Sequence, residues 1–364
     1  MKITFLLPFS GHLPVGGFKV AYEYAGGLAA NGHQVTVLHA PARRIGPCSL
    51  GRNVRSLAAY AVRGLGLAGG YLPAKWFRID PRVRMLWRPS LAAAWTPRAD
   101  LVVATSWETA EWADRYPEDR GRKFYLIQHN EATFPGADPD RATATLKMPF
   151  SKIVIARWLA EMVESLGETC AYIPNGLDFS TFDLDIPPAD RDPYRLIMLY
   201  HHLTWKGSAD GLEAIRRVKE KVPELKVGLF GIPPRPATLP AWIDYDQRPS
   251  PDRLRSLYNE ASIFIGPSWA EGWPLPPAEA AQCGSALCLT DIGGHREYGI
   301  HCETALLSPV KDPAALAENL LSLVTNNQRR ILLAEQGHAY IRQFTWKRAV
   351  ASLESAFQGS SCIA

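Results

Sequence analysis

Short, continuous apolar runs alternate with stretches of helical periodicity along almost the whole chain. Lys2 to Phe9 reads as a buried strand, Gly16-Gly17 opens an amphipathic helix through Leu28, and Asn31-Gly32-His33 reads as the turn into a second strand ending at Val37. Phe124 to Ile127 predicts another strand in this half. Further on, strands are predicted at Leu196 to His201, Lys226 to Gly231, Ser262 to Gly266 and Ala286 to Thr290, with helices between them, one of them Ser208 to Val222. Apolar strands separated by helices are the pattern of parallel sheets covered on both faces, so the predicted class is α/β. Residues 181–194, running into Pro188-Ala-Asp-Arg-Asp-Pro193, are acidic and Pro-rich without periodicity and read as a linker. The predicted domains are therefore residues 1–180 and 195–345, with a last helix at Trp346 to Phe357.

Composition permits this division, because 364 residues with 47% apolar content can bury two cores of ordinary size. The six cysteines, at 48, 170, 283, 288, 302 and 362, show neither C-x-x-C pairs nor a disulfide-like rhythm, which fits a reducing cytosol. Ile3 to Phe9 is too short to span a membrane, is broken by Pro8, and lacks a cleavage pattern after it, so it reads as a core strand.

The chemistry concentrates in Glu271-Gly-Trp-Pro-Leu-Pro-Pro-Ala-Glu279. Pro267, Ser268, Gly272 and Pro274 force a loop after the strand ending at Gly266. A helix is predicted from Ala278 to Cys283, with Pro276 or Pro277 at its first position and Gly284 as its C-terminal cap. Free N–H groups and the positive end of the helix dipole then favour a phosphate in the loop. Glu271 is placed to accept hydrogen bonds from sugar hydroxyls and Glu279, in the predicted first turn, from a ribose. The alternative is a solvated loop carboxylate at 271 and a dipole-compensating one at 279.

This segment resembles the E-x7-E signature of the retaining glycosyltransferases of family 4, and the resemblance runs nearly end to end. Other pieces in the family's order are Gly16-Gly17, Asn31-Gly-His33, Gln128-His129-Asn130, Ile173-Pro-Asn175-Gly176-Leu-Asp178 and Trp205-Lys206-Gly207. After the signature come Asp291-Ile-Gly293-Gly294-His-Arg-Glu297 and Thr304 to Asp312. The resemblance implies a GT-B fold, two Rossmann-like doubly wound parallel-sheet domains facing a central cleft, with the helix at 346–364 crossing back onto the first. It implies a hexosyl transfer from a nucleoside-diphosphate sugar to an acceptor hydroxyl, with retention and without a covalent nucleophile. The acceptor would be a cell-surface glycan or a lipid-linked one. Glu271, Lys206 and His129 become the catalytic candidates, Lys206 touching the diphosphate and His129 the transferred sugar. Trp273, Pro274, Leu275, Glu279 and His201 join Gly16 and Gly17 as donor-binding candidates, the glycines letting backbone approach phosphate. An ordinary exposed lysine, a tight turn and a core histidine are the competing readings of Lys206, the glycine pair and His129.

The chain departs from the family at three places. His201, followed by His202, stands where members carry an arginine, Pro274 where they carry glycine, and Arg157 where they carry a small hydroxyl residue. A histidine at 201 or 202 is expected to replace the missing charge when protonated, or simply to end the strand. No metal and no cofactor beyond the donor are expected. The D-x-D matches at Asp138-Pro-Asp140, Asp183-Leu-Asp185 and Asp244-Tyr-Asp246 read as solvated turns, and Gly64-Leu-Gly66-Leu-Ala-Gly69 lacks the strand that a dinucleotide loop requires.

Charge adds one partner to consider. Residues 41–100 hold eleven basic residues against Asp80 and Asp100, so this span is +9 within a net +4. Interleaved with aromatics, it suits peripheral contact with anionic lipid at the inner face of the membrane, or a solvated helical arm; nucleic acid is not expected. The alternatives to a transferase are a sugar-nucleotide epimerase on the same fold, an inverting enzyme, or a non-catalytic nucleotide-sugar or glycan-binding protein.

Overall fold

The computed structural model describes the chain except for residues 10–13, 41–57, 59, 63–75, 135 and 360–364. The Gly64 to Gly69 match and much of the basic span at 41–100 lie outside the described residues. The chain divides into two compact units, Met1–Gly176 with Trp346–Ala364, and Leu177–Thr345.

In the first unit the chain runs β1 (Lys2–Leu7), α1 (Gly16–Ala30), β2 (Gln34–His39), β3 (Arg84–Trp87), β4 (Leu101–Ala104) and α2 (Trp107–Asp114). It continues through β5 (Arg122–Ile127), α3 (Pro139–Thr145), β6 (Ser151–Val154), α4 (Arg157–Glu164) and β7 (Cys170–Tyr172). All strands are parallel, in the order β3-β2-β1-β4-β5-β6-β7. The second unit holds β8 (Arg195–Leu199), α5 (Ser208–Lys221), β9 (Lys226–Gly231), β10 (Ile243–Gln247), α6 (Pro251–Glu260) and β11 (Ile263–Gly266). After these come α7 (Leu275–Gln282), β12 (Ala286–Thr290), β13 (Ala305–Ser308), α8 (Pro313–Thr325) and α9 (Asn327–Ile341). Its sheet is also parallel, in the order β10-β9-β8-β11-β12-β13. Every residue of β4, β11 and β12 is buried, as strands covered on both faces require. The core of the second unit gathers Leu196, Met198, Ile215, Leu229, Ile263, Ile265, Leu306 and Leu320.

Each order reverses direction once, between β1 and β4 and between β8 and β11. In doubly wound sheets ligands bind outside the carboxyl ends of the strands at such a reversal. Loops following β8 and β11 are therefore the places to look in the second unit.

Residues 181–194, read as a linker, are instead bound into the second unit. Phe182 and Arg191 are buried, and the Arg191 guanidinium donates to the carbonyls of Ile186, Tyr258 (3.2 Å), Ala261 (2.9 Å) and Cys283. Asn259 accepts the Asp185 amide at 2.7 Å, and Arg255 pairs with the Asp185 carboxylate. Apart from a single 3-10 turn at Pro188–Asp190, side chains bond much of its backbone, Asn259 the amides of Asp185 and Ile186 and its own Arg191 the Ile186 carbonyl.

The last helix, α10 (Trp346–Gln358), packs in the first unit along α1. The Tyr24 and Trp346 rings meet edge-on at 5.3 Å, and Glu354 accepts from Asn31 Nδ2 at 2.9 Å and pairs with His33 Nε2 at 2.7 Å. Gly27 sets the approach, since a Cβ there would lie 2.5 Å from Val350 Cγ2. The overpacking cost, about 1–3 kcal/mol, exceeds the helix-propensity gain of just under ~1 kcal/mol. Gly27→Ala is therefore expected to lower stability by about 1 kcal/mol and, in a Val350→Ala background, to raise it. Urea denaturation of the four proteins checks the change of sign.

Candidate functional site

After β8 the chain makes a short turn through Thr204–Lys206 and enters α5 at Ser208. Ser208 joins the strand end to the helix start: its Oγ accepts the His201 amide and donates to the His201 carbonyl, both at 2.9 Å. Gly207 sits between them at φ +63°, where a Cβ would come within 1.9 Å of the Pro267 carbonyl oxygen. Only glycine lets the lysine turn lie this close to the loop that follows β11. The two loops are further joined by the Trp269 amide donating to Trp205 O and by Trp269 Nε1 donating to Asp210 Oδ2, both at 2.7 Å. Lys311 Nζ covers the Trp269 ring at 4.6 Å.

This clamp brings together two residues that the sequence assigned to different parts of a ligand. Lys206 Nζ donates to both oxygens of Glu271, at 2.7 and 2.9 Å, and Ser268 Oγ donates to Glu271 Oε1 at 2.8 Å. The side chains are 24% and 12% exposed, so the pair lies at the rim of the core. Burial pushes the Glu271 carboxyl up, but the Lys206 charge and the bonds from Lys206 and Ser268 outweigh it and hold the group below the usual glutamate range. Glu271 is thus a fixed acceptor of donors, ionised at neutral pH.

The helix after the loop differs from expectation. α7 begins at Leu275, not at Ala278, and its N-cap is Pro274. Pro274, Pro276 and Pro277 have no N–H, so of the N-cap and the three residues after it Leu275 alone offers one. The expected group of free amides shrinks to a single donor. Glu279 falls in the second turn rather than the first; it is buried and receives Tyr258 Oη at 3.4 Å. Trp273 is likewise a packed residue, 5% exposed, with its ring against Tyr298 and Phe344 and its Nε1 without a hydrogen-bond partner. The helix ends as expected: Gly284, at φ +82°, lets the Gly284 and Ser285 amides reach the carbonyls of Ala281 and Ala280.

His201 is engaged with the backbone at the end of β8. Its Nδ1 accepts the Leu203 amide at 3.0 Å, which requires a lone pair there, and its ring stacks on the exposed His202 at 4.7 Å. Burial first, then the neighbouring His202 and Lys206, pushes its imidazole down to about 4. As the site stands, His201 is neutral at neutral pH.

Sequence reasoning missed the roles of Ser268 and His295. His295 is fully buried beside this loop, with Nδ1 on the Thr290 carbonyl at 2.7 Å, and burial pushes it down to about 4 against the pull of that carbonyl and of Glu271. Its only signal was its place after Gly293-Gly294. Ser268 had none, since a serine in a loop does not disclose which way its hydroxyl points.

The remaining candidates belong to the first unit. Gly16 and Gly17 open α1, and Gln128 Nε2 donates to Gly17 O at 3.2 Å, so the glycine pair and the segment at the end of β5 adjoin. Space around Gly16 is open, whereas the side of Gly17 is occupied by the Gln128 amide at 3.4 Å. His129 packs with Phe134 at 4.6 Å and Trp158 at 5.9 Å, and Arg157 covers the Tyr172 ring at 4.7 Å. Two of the D-x-D matches are not plain turns: Asp138 caps α3, and Asp244 and Asp246 lie in β10, with Asp246 paired to Arg253. Among the described residues no cluster of three or more His, Cys, Asp or Glu could hold a metal ion, and no helix is long and apolar enough to cross a membrane.

A doubly wound parallel sheet in each unit, with paired polar loops at the reversal of the second, defines a GT-B fold. Over 98% of both chains it matches sucrose-phosphate synthase from Thermosynechococcus elongatus, with a TM-score of 0.73 at 15% identity. Over 99% of this chain and 100% of the other it matches Anabaena HepE in complex with UDP and glucose, with a TM-score of 0.72 at 13% identity. Residues 181–339 match the family model of glycosyl transferases group 1. Among curated relatives, a D-inositol 3-phosphate glycosyltransferase of Geodermatophilus obscurus is 25% identical over 78% of this chain and 57% of its own length. A phosphatidyl-myo-inositol mannosyltransferase of Mycobacterium tuberculosis is 24% identical over 56% of each. The chain thus spans a little over half the length of these relatives. The matched family model and the names of these relatives are those of glycosyltransferases, and the solved structures share the fold.

His295 generates a test of the packing around the loop. Its folded-state value, about 4, lies below the ordinary 6.5, so on acidification the unfolded chain takes up the proton first. The stability tied to its burial is complete above pH 6.5 and is lost as pH falls toward 4. From pH 7 to pH 5 this histidine alone is expected to cost the second unit roughly 2 kcal/mol. His295→Asn should flatten that part of the pH profile; denaturation curves at the two pH values measure it.

Proposed function

We propose that the protein is a metal-independent glycosyltransferase that moves a hexosyl unit from a nucleoside-diphosphate sugar to an acceptor hydroxyl with retention of anomeric configuration. The observation that carries this reading is the Lys206–Glu271 pair, held at the switch point of a parallel sheet inside the segment that matches glycosyl transferases group 1. A cation suits the diphosphate leaving group, and an ionised carboxylate beside it suits sugar hydroxyls. Neighbours of the same fold bind UDP with glucose, or UDP-glucose, which supports a nucleotide-sugar donor. The names of the curated relatives, acting on inositol phosphate and phosphatidylinositol, support an acceptor hydroxyl that is free or lipid-linked, and an acceptor in cell-surface glycan assembly rests on the family resemblance. Retention and same-face attack follow from the family resemblance, in which Glu271 orients sugar and does not attack it. Peripheral contact with anionic lipid rests on the charge of residues 41–100.

Thermal shift against UDP, GDP, dTDP and ADP, and then their sugars, should single out one nucleotide, since a ligand that binds only the folded state raises its stability. With that donor, Lys206→Ala and Glu271→Ala are each expected to lower turnover by about a hundredfold or more. Near-normal rates in both folded variants would remove the assignment. NMR of the product should show the donor's anomeric configuration, and an inverted product would exclude the retaining mechanism. EDTA should leave the rate unchanged; loss of activity restored by magnesium or manganese would contradict metal independence.

A further inference from the structure

The cation that would meet a phosphate at this site is engaged within the protein. Lys206 donates to both oxygens of Glu271, while the N-cap and first three residues of α7 offer one amide between them and His201 is occupied by the Leu203 amide. The lysine turn and the Glu271 loop are held by Gly207 against Pro267, by Trp269 N–H to Trp205 O and by Trp269 Nε1 to Asp210. Neither loop is free to retreat and relieve a mismatch between the two charges.

We propose that Glu271 competes with the diphosphate for Lys206, and thereby makes the site favour a sugar-bearing nucleotide over the bare nucleoside diphosphate. The inference rests on the donor-site reading above. When a diphosphate draws Lys206 Nζ away, Glu271, only 12% exposed, keeps Ser268 as a donor but loses its counter-charge and faces a second anion. An unpaired carboxylate in that position is costly. A nucleotide that carries a hexosyl unit supplies sugar hydroxyl donors to replace the lysine; a nucleoside diphosphate supplies only ribose hydroxyls, which the donor-site reading places at Glu279 and not at Glu271. The intact donor therefore satisfies both members of the pair, whereas the product left after transfer satisfies one and strands the other. Product release is favoured by the same residue that orients the sugar.

The test measures affinities of UDP, GDP, dTDP and ADP by calorimetry on wild type, Glu271→Gln, Lys206→Met and the double variant, each first checked for an unaltered melting transition. Glu271→Gln removes the competing charge and keeps the shape. It is expected to bind the preferred nucleoside diphosphate at least about fivefold more tightly than wild type, a coupling of ordinary size between linked sites. Its affinity for the corresponding nucleotide sugar should rise less or fall. In the Lys206→Met background the gain should vanish, because nothing remains to compete for. Equal or weaker binding by Glu271→Gln, or a gain that persists without Lys206, would overturn the inference while leaving the donor site intact. Absence of binding of all four nucleotides to wild type and Glu271→Gln alike would remove the donor-site reading and the inference together.

Discussion

The closeness of two loops governs the candidate site. Gly207 in the left-handed region lets the start of α5 lie against the Pro267 carbonyl, and the backbone bond from Trp269 to Trp205 closes the contact. A side chain at 207 would collide with backbone, which cannot swing aside. Because of that approach, a lysine at the end of a short turn reaches a carboxylate in the loop after β11, residues that are far apart along the chain. The parallel sheet supplies the frame: β8 and β11 are adjacent, and their connections leave in opposite directions along the sheet.

Around this pair the protein places neutral groups. His201 and His295 are both pushed down to about 4 by burial, and each holds a backbone partner on Nδ1. Among the described residues of the second unit, the positive groups at these loops are Lys206, Lys311 over the Trp269 ring and one amide at the start of α7. Three prolines around the start of α7 fix its entry angle but give up N–H groups, so in the proposed donor site a phosphate would lean on the lysine. The Lys206 charge in that arrangement has an internal partner, Glu271.

Much of this architecture was legible in the chain because parallel sheets bury both faces. Continuous apolar runs marked β9, β11 and β12 to within a residue or two, and the glycine after α7 marked its end. Readings failed where a residue's environment comes from distant segments. The acidic, Pro-rich stretch at 181–194 looked unstructured by itself but is bound by Asn259 and Arg255, and its own Arg191 reaches into the second unit. Asp244 and Asp246 looked like a turn and lie in an edge strand, where outward positions tolerate charge.

The sequence by itself determined the class of fold, the order of the chemical residues and the places where helices stop, since these follow from local periodicity, ring geometry and glycine's freedom. It also supplied Lys206 and Glu271 as separate candidates. Only the tertiary structure decided that they bind each other, that Ser268 supports the carboxylate, and that His201 and His295 are neutral. Charge state and pairing depend on burial and on distances of a few ångströms between segments remote in sequence, and no local pattern encodes those distances.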